Sequence, residues 1–304
     1  MSLFFKRKGA SIVGIKSWQA LGFLAPASLL LFVFYYWPLL QDLWLSLHQW
    51  NMVSPTMKYV GLQNYAQVLS GSEFISIVGN TLLYVTVLLL LNFLLPYGVS
   101  FIMTHVLQRC QFFYRSALFI PSTISLAVAG IVFLWIFNPL AGPVQILLGG
   151  LGLESPRWFK ESGLVIVIIS VIIGWKVFGY NLILLVAAMV DVPRELIEAA
   201  RLENVSNWQL FRRIIVPLTS STALYVFVIT VVFGLQYVLV PVSMLTQGGP
   251  DQGSTNLVYI VYQYGFVFFQ TGKAAALAIL TMLVFAVFLV LKHRVLDKRV
   301  HYEN

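Results

Sequence analysis

Lys176 sits in GWKVFGYNL, inside an aliphatic run, with Trp175 before it and Tyr180 and Asn181 about one helical turn further on. A charge at membrane depth costs roughly 3 kcal/mol or more unless it faces a wet cavity or a partner. Two readings follow: a group lining a solute pathway, or a lysine that snorkels or pairs with backbone carbonyls and serves packing. Lys176 and Tyr180 share a helix face at i, i+4. Gln236 and Tyr237 interrupt VVFGLQYVLV, and Asn92 interrupts LLLLNFLL. Sugars are held by aromatic rings stacked on their apolar faces and by amides and hydroxyls that satisfy their hydroxyl groups. Trp175, Lys176, Tyr180, Asn181, Gln236 and Tyr237 are therefore the candidate pathway set. The alternative is that the amides join helices by interhelical hydrogen bonds, which is the preferred reading for Asn92.

Catalytic and metal chemistry find no comparable set. His48 and His105 lie at span ends without ligand-like spacing, so no metal site is expected. The single cysteine, Cys110, excludes an intramolecular disulfide and a zinc cluster. A phosphate-cradling loop needs G-x-x-x-x-G-K-[ST] between a strand and a helix. The nearest match, GFVFFQTGKA, puts Gly265 and Gly272 too far apart and has Ala274 where the hydroxyl belongs. No acid, base and nucleophile converge on one membrane face, so the chain is expected not to be an enzyme. Proton-driven transporters carry a carboxylate at membrane depth, whereas all 11 acidic residues here fall in loops or at span ends. Sodium coupling through backbone carbonyls stays open. A self-sufficient ion-coupled secondary transporter or channel is thus the rival class.

The elements that would position these residues are membrane helices. Of 304 residues 59% are hydrophobic and only 10% charged, against roughly a quarter charged in soluble domains. The net charge of +8 comes from short clusters flanking apolar runs rather than from one basic face, so no nucleic-acid partner is expected. Six stretches reach the ~20 apolar residues of a bilayer-crossing helix: Ala20–Leu40, Gly79–Ile102, Ala117–Phe137, Leu164–Val190, Ala223–Val242 and Ala274–Leu291. Pro26, Pro96 and Pro121 should kink three of them. The first run follows a basic start but is too long for a signal peptide, so it reads as a retained anchor.

Six spans put both termini on one side. Lys6, Arg7, Lys8, Lys16, Arg109, Arg115, Arg194, Arg201, Arg212, Arg213, Lys292, Arg294, Lys298 and Arg299 fall there, against Lys58, Arg157, Lys160 and Lys273 on the other. By the positive-inside rule the termini are cytoplasmic. The organisation is then a basic segment 1–19, a transmembrane domain 20–292 containing a polar loop 191–218, and a basic tail 293–304. The external loops are rich in Gly, Pro, Ser, Asn and aromatics, and the third, LTQGGPDQGSTNLVYIVYQYGFVFFQTGK, could dip back toward the membrane.

The polar loop contains ELIEAARLENVSNWQLFRRIIVPL (195–218). Asp191 can cap a helix starting near Pro193, with Glu195 and Glu198 at its positive end. Pro193, Leu196, Ile197 and Ala200 should share one face, and Arg194, Glu195, Glu198 and Arg201 the other. Asn204 suits the left-handed residue that closes a helix. Ser206 and Gln209 have capping-box spacing, so a second helix should start there, bring Trp208, Phe211, Ile214 and Ile215 to the membrane surface, and end at Pro217. Physics alone gives a helix-turn-helix, equally compatible with a bland interfacial connector.

The string EAARLENVSNWQLFRRIIVPL resembles the EAA loop of binding-protein-dependent ABC importer permeases. Glu198, Ala199, Ala200, Glu203, Phe211, Ile214 and Pro217 match its pattern, and Asn204 stands where the family has glycine. YVGLQNYAQVL, NTLLYV, LFIPSTIS, VPRELIEAA and LTQGGPDQGSTNLVYIVYQYGF resemble signatures of the sugar and glycerol-phosphate branch, in order along the chain. The resemblance implies a type I permease fold, all-α and polytopic, in a bacterial inner membrane. It implies that Glu195, Glu198, Ala199, Ala200, Glu203, Asn204 and Phe211 form a coupling surface for a cytoplasmic ATPase. Ala199 and Ala200 would permit close packing, and Glu198 would pair with a basic residue there. The implied partners are a second permease in a heterodimer, two ATPase subunits and an extracytoplasmic binding protein. No cofactor is expected in this chain; ATP and Mg²⁺ belong on the ATPase. The expected cargo is a sugar or sugar-like polyol, with glycerol-phosphate or a related phosphodiester as the alternative.

Overall fold

In hydrocarbon every backbone N–H and C=O must find a partner within the protein, so apolar runs of this length fold as helices. The computed structural model describes residues 17–107 and 111–295, with side chains over 22–107 and 111–294. Lys6, Arg7, Lys8, Lys16, Arg109, Cys110, Asp297, Lys298, Arg299 and Glu303 lie outside the described residues. In chain order the helices are α1 (Gly22–Ser46), α2 (Gln63–Leu69), α3 (Phe74–Val106), α4 (Gln111–Thr123), α5 (Leu126–Ile136), α6 (Pro143–Gly150), α7 (Leu164–Val190), α8 (Arg194–Leu202), α9 (207–218), α10 (Ser220–Thr246), α11 (Leu257–Val267) and α12 (Thr271–Arg294). A two-residue pairing, β1 (His48–Gln49) antiparallel to β2 (Lys58–Tyr59), stiffens the loop after α1.

Five of these helices, α1, α3, α7, α10 and α12, are each long and apolar enough to cross a bilayer. The sixth expected span, Ala117–Phe137, is not one rod. It is α4 and α5, bent by 102° where they meet. Pro121 cannot continue the helical ladder, and Ser125 in extended backbone starts α5 afresh, its Oγ accepting from the Val128 amide. Three other prolines are absorbed without a break. Trp37, Leu95 and Val216, each just before a proline, donate to the carbonyls of Phe32, Leu90 and Phe211, five residues back. That wider turn makes room for the ring of Pro38, Pro96 or Pro217. α9 ends at Leu218, one residue past Pro217, and Thr219 alone separates it from α10.

The centre of the bundle is α7. Val165, Ile166, Ile169, Ile172, Ile173, Leu182, Leu185 and Met189 are fully buried, as expected of a helix that is apolar all round. It packs on α3, α4, α5 and α10. Between membrane helices close packing replaces hydrophobic driving force, and small residues allow it. Gly179 shows why: a Cβ there would collide with the Leu118 carbonyl oxygen and come within 2.7 Å of Phe119 Cα on α4. The third long loop packs back into the bundle, as anticipated. Ser254, Thr255 and Asn256 are fully buried. Asn256 caps α11 through the Tyr259 amide and donates to the Leu235 carbonyl, and the Tyr84 hydroxyl donates to the Ser254 carbonyl.

Candidate functional site

The polar loop forms a helix, a sharp turn and a second helix. The turn is built by one residue type at each position. Asn204 adopts φ 55°. With that backbone its amide reaches the Arg201 carbonyl at 3.0 Å and the Val205 amide reaches Ala200 at 3.1 Å, so the last carbonyls of α8 are satisfied. Ser206 then opens α9 with both halves of a capping box: its Oγ accepts from the Gln209 amide, and the Gln209 side chain accepts from the Ser206 amide. Asp191 does not cap α8 as expected. Pro193 occupies the cap position without a side-chain bond, and Asp191 instead terminates α7.

The faces of this unit also differ from the periodic reading. Ala200 and Ile197 turn inward onto a cluster with Phe101, Leu185, Met189 and Leu210. Ala200 thus spends its small size on packing within the chain. Leu196, expected beside them, is 46% exposed; Leu202 is 85% exposed, and Ala199 lies on the same open side. Glu195, Glu198 and Glu203 are exposed around these apolar residues. The outward surface is therefore an apolar strip with an acidic rim, the anatomy of an interface rather than of a solvated helix. Of the four α9 residues expected at the membrane surface only Trp208 is exposed; Ile215 is fully buried, Ile214 is half-buried, and the Phe211 ring packs against Tyr97, Phe101 and Trp208. The wide turn at Phe211–Ile215 shifts the helical register ahead of Pro217, which a regular amphipathic helix would not do. Phe211 thus joins α9 to α3 rather than lying on the open strip.

Two polar residues of α7 answer backbone carbonyls left without helical donors, one at the α4/α5 break and one opposite Pro96. At the α4/α5 break the Lys176 ammonium donates to the Ser122 carbonyl at 2.7 Å and the Ile124 carbonyl at 2.6 Å. Of the two sequence-based readings, the structure shows the carbonyl-paired lysine. Pro96, lacking an N–H, leaves the Asn92 carbonyl without its helical donor. Asn181 Nδ2 takes that carbonyl and also reaches Thr230 Oγ1 at 3.2 Å, tying α3, α7 and α10 together. The link at Asn92 runs through its backbone, not through the side-chain amide that suggested it.

Beside that junction lies a crevice of about 40 Å³ lined by Asn92, Tyr180, Asn181, Thr230, Phe233 and Tyr237, among others. The side-chain oxygens of Asn92 and Asn181 are buried without a donor. Rings and unpaired acceptors meet there, in a space far smaller than the ~300–1,000 Å³ of ordinary small-molecule pockets. Of the candidate pathway residues, the structure gathers Tyr180, Asn181 and Tyr237 there. Trp175 lines a separate apolar groove with Leu91, Leu118 and Phe178, its ring against Phe133. Gln236 is exposed and outside the crevice lining. Thr230 and Phe233 escaped the sequence reading, although Thr230, Gly234 and Tyr237 at i, i+4, i+7 form one stripe that periodicity could have found.

Residues 97–302 match the family model described as the binding-protein-dependent transport system inner membrane component. The sn-glycerol-3-phosphate transport system permease protein UgpA of Rhizobium meliloti (strain 1021) is 30% identical over 282 residues, 91% of this chain and 94% of its own. Its namesake from Escherichia coli O157:H7 is 25% identical over 286 residues, 94% of this chain and 96% of its own. Among solved structures, a bacterial ABC transporter involved in the import of the acidic polysaccharide alginate has a chain that superposes with a TM-score of 0.79 at 20% identity. The match covers 92% of this chain and 96% of that one, and it is a likeness of fold.

Proposed function

This chain belongs to the binding-protein-dependent transport system inner membrane components, and from that premise we propose that α8 and the turn after it are the point where a separate ATPase drives it. The chain is a multi-pass inner-membrane permease of an ABC importer, working with a further permease, an ATPase and a substrate-binding protein. The finer arrangement is a heterodimer of permeases over two ATPase subunits that carry the ATP and Mg²⁺, with the binding protein outside and both termini of this chain in the cytoplasm. The chain itself performs no catalysis.

The observation that carries this reading is the outward face of α8. Leu196, Ala199 and Leu202 are apolar and open, and Glu195, Glu198 and Glu203 rim them. Such a strip fits a hydrophobic groove with basic edges. Because Ala200, Leu210 and Ile215 lock α8 and α9 to α3 and α7, a push on the strip moves the helices around the crevice as a body. Closure of the ATPases would then alternate the pathway between its two openings. A self-powered ion carrier has less support. Among the described residues Lys176 is engaged by carbonyls, and no carboxylate faces the crevice.

For the cargo we favour a sugar or sugar-like polyol, since rings and unpaired amide oxygens line the crevice and, among the described residues, no cation does. The relatives' names favour the second reading, sn-glycerol-3-phosphate or a related phosphodiester. Competition of unlabelled sugars, polyols and sn-glycerol-3-phosphate against uptake by the complete transporter separates the two. Docking is tested with Glu198→Lys. The variant should insert normally but lose ATPase copurification and uptake; normal copurification with normal uptake would refute the docking role.

A further inference from the structure

We propose that the arginine-lined cleft behind α8 is a binding site for a phosphate-type oxyanion. The cleft, of about 700 Å³, lies between α8 and the adjoining ends of α3, α4 and α7. Thr104, His105, Gln111, Arg115, Arg194 and Arg201 line it, together with the carboxylate of Glu198. Its walls are fixed: Arg201 Nη2 donates to the His105 carbonyl at 2.8 Å, and Arg115 Nη2 donates to Gln111 Oε1 at 3.0 Å.

Two observations point to a missing ligand. His105 is 9% exposed, and its Nε2 is buried with no hydrogen-bond partner. Arg115 Nε is buried and unpartnered as well. A buried polar group left unpaired is destabilising, so two in one cleft are a reason to look for what completes them. Three guanidinium groups converge there against one carboxylate, and planar guanidinium forks match the oxygens of a phosphate. A phosphate seated among them would receive hydrogen bonds from Arg115 and, in its Nε2–H tautomer, from His105. It would also tie α8 to the ends of α3 and α4. Glu198 opposes the anion, which sets the direction of one test below.

The same chemistry is offered by a phospholipid headgroup at the membrane surface and by free phosphate. The assignment does not depend on ATPase docking, because the purified full-length chain suffices to test it. In neutral detergent the chain is titrated with dihexanoyl phosphatidylglycerol against dihexanoyl phosphatidylcholine by native mass spectrometry. In parallel, thermal shift is followed with inorganic phosphate against chloride at matched ionic strength. Saturable preference for phosphatidylglycerol alone identifies the lipid source, and preference for inorganic phosphate alone the soluble one; either supports the site. Arg115→Gln and Arg194→Gln should each weaken that binding by about tenfold or more, the worth of one charge-assisted hydrogen bond, and Glu198→Gln should tighten it. Arg194 is exposed and makes no hydrogen bond among the described residues, so its variant guards against a folding failure. No preference over either control, or unchanged affinity in both arginine variants, would overturn the assignment.

Discussion

Lys176 and Asn181 show how a polar side chain in a membrane helix is decided by backbone geometry elsewhere. Sequence marked both as candidates for touching solute, because a polar group in an aliphatic run demands an explanation. For Lys176 carbonyl pairing was one of the two readings; which carbonyls was out of reach, because the α4/α5 break and Pro96 lie on other helices and which α7 side chain meets a freed carbonyl depends on packing between spans. Lys176→Met should therefore act on stability. It leaves the Ser122 and Ile124 carbonyls unpaired, at a cost of about 1.5–3 kcal/mol for hydrogen bonds to a charged group. A lower melting temperature of the purified complex checks it, whereas a raised KM at unchanged stability would restore the pathway reading. Tyr237→Ala should behave oppositely. Its ring borders the crevice and is 38% exposed, so the variant is expected to keep its melting temperature while KM for uptake rises several-fold.

At the scale of elements, the turn between α8 and α9 was legible in full, because the left-handed residue and the capping box are local chemistry. Asn204 and Ser206 adopt the geometry their types announce. The faces of the two helices were less legible. Leu196 looks inward on a helical wheel and is open in the structure, and Ile215 looks like a membrane-surface residue and is fully buried. The wide turn at Phe211–Ile215 and the packing of Ala200 against the end of α7 rotate these faces, and neither appears in a local pattern. Two expectations belong here. Asn204→Gly should be neutral in stability, while Asn204→Val should cost roughly 1–3 kcal/mol, because a β-branched residue resists positive φ. Gly179→Ala should lower the melting temperature of the complex by separating α7 from α4, at about 1–3 kcal/mol of overpacking; an unchanged melting temperature would mean the two helices are not in close contact.

At the scale of the molecule, length and hydropathy were enough to read a polytopic helical protein, and α7 keeps the bounds the hydropathy drew. The broken third span was not foreseen as a break, because hydropathy is blind to direction: a run apolar throughout can turn through 102° at Pro121 and Ser125 and still score as one segment. The loop after α10 was foreseen to return, from its mixture of turn residues and aromatics, and Asn256 and Tyr84 hold it. What unites the scales is a rigid linkage, in which α8 and α9 are locked to α3 and α7 while the strip Leu196, Ala199 and Leu202 stays open. The most direct test places a thiol on that strip. In a Cys110→Ser background, Ala199→Cys is treated with a short bifunctional crosslinker in membranes containing the complete transporter. The account predicts an adduct with the ATPase subunit that Glu198→Lys abolishes. Labelling of Cys at position 199 by a membrane-impermeant maleimide added outside intact cells, with no ATPase adduct, would contradict it.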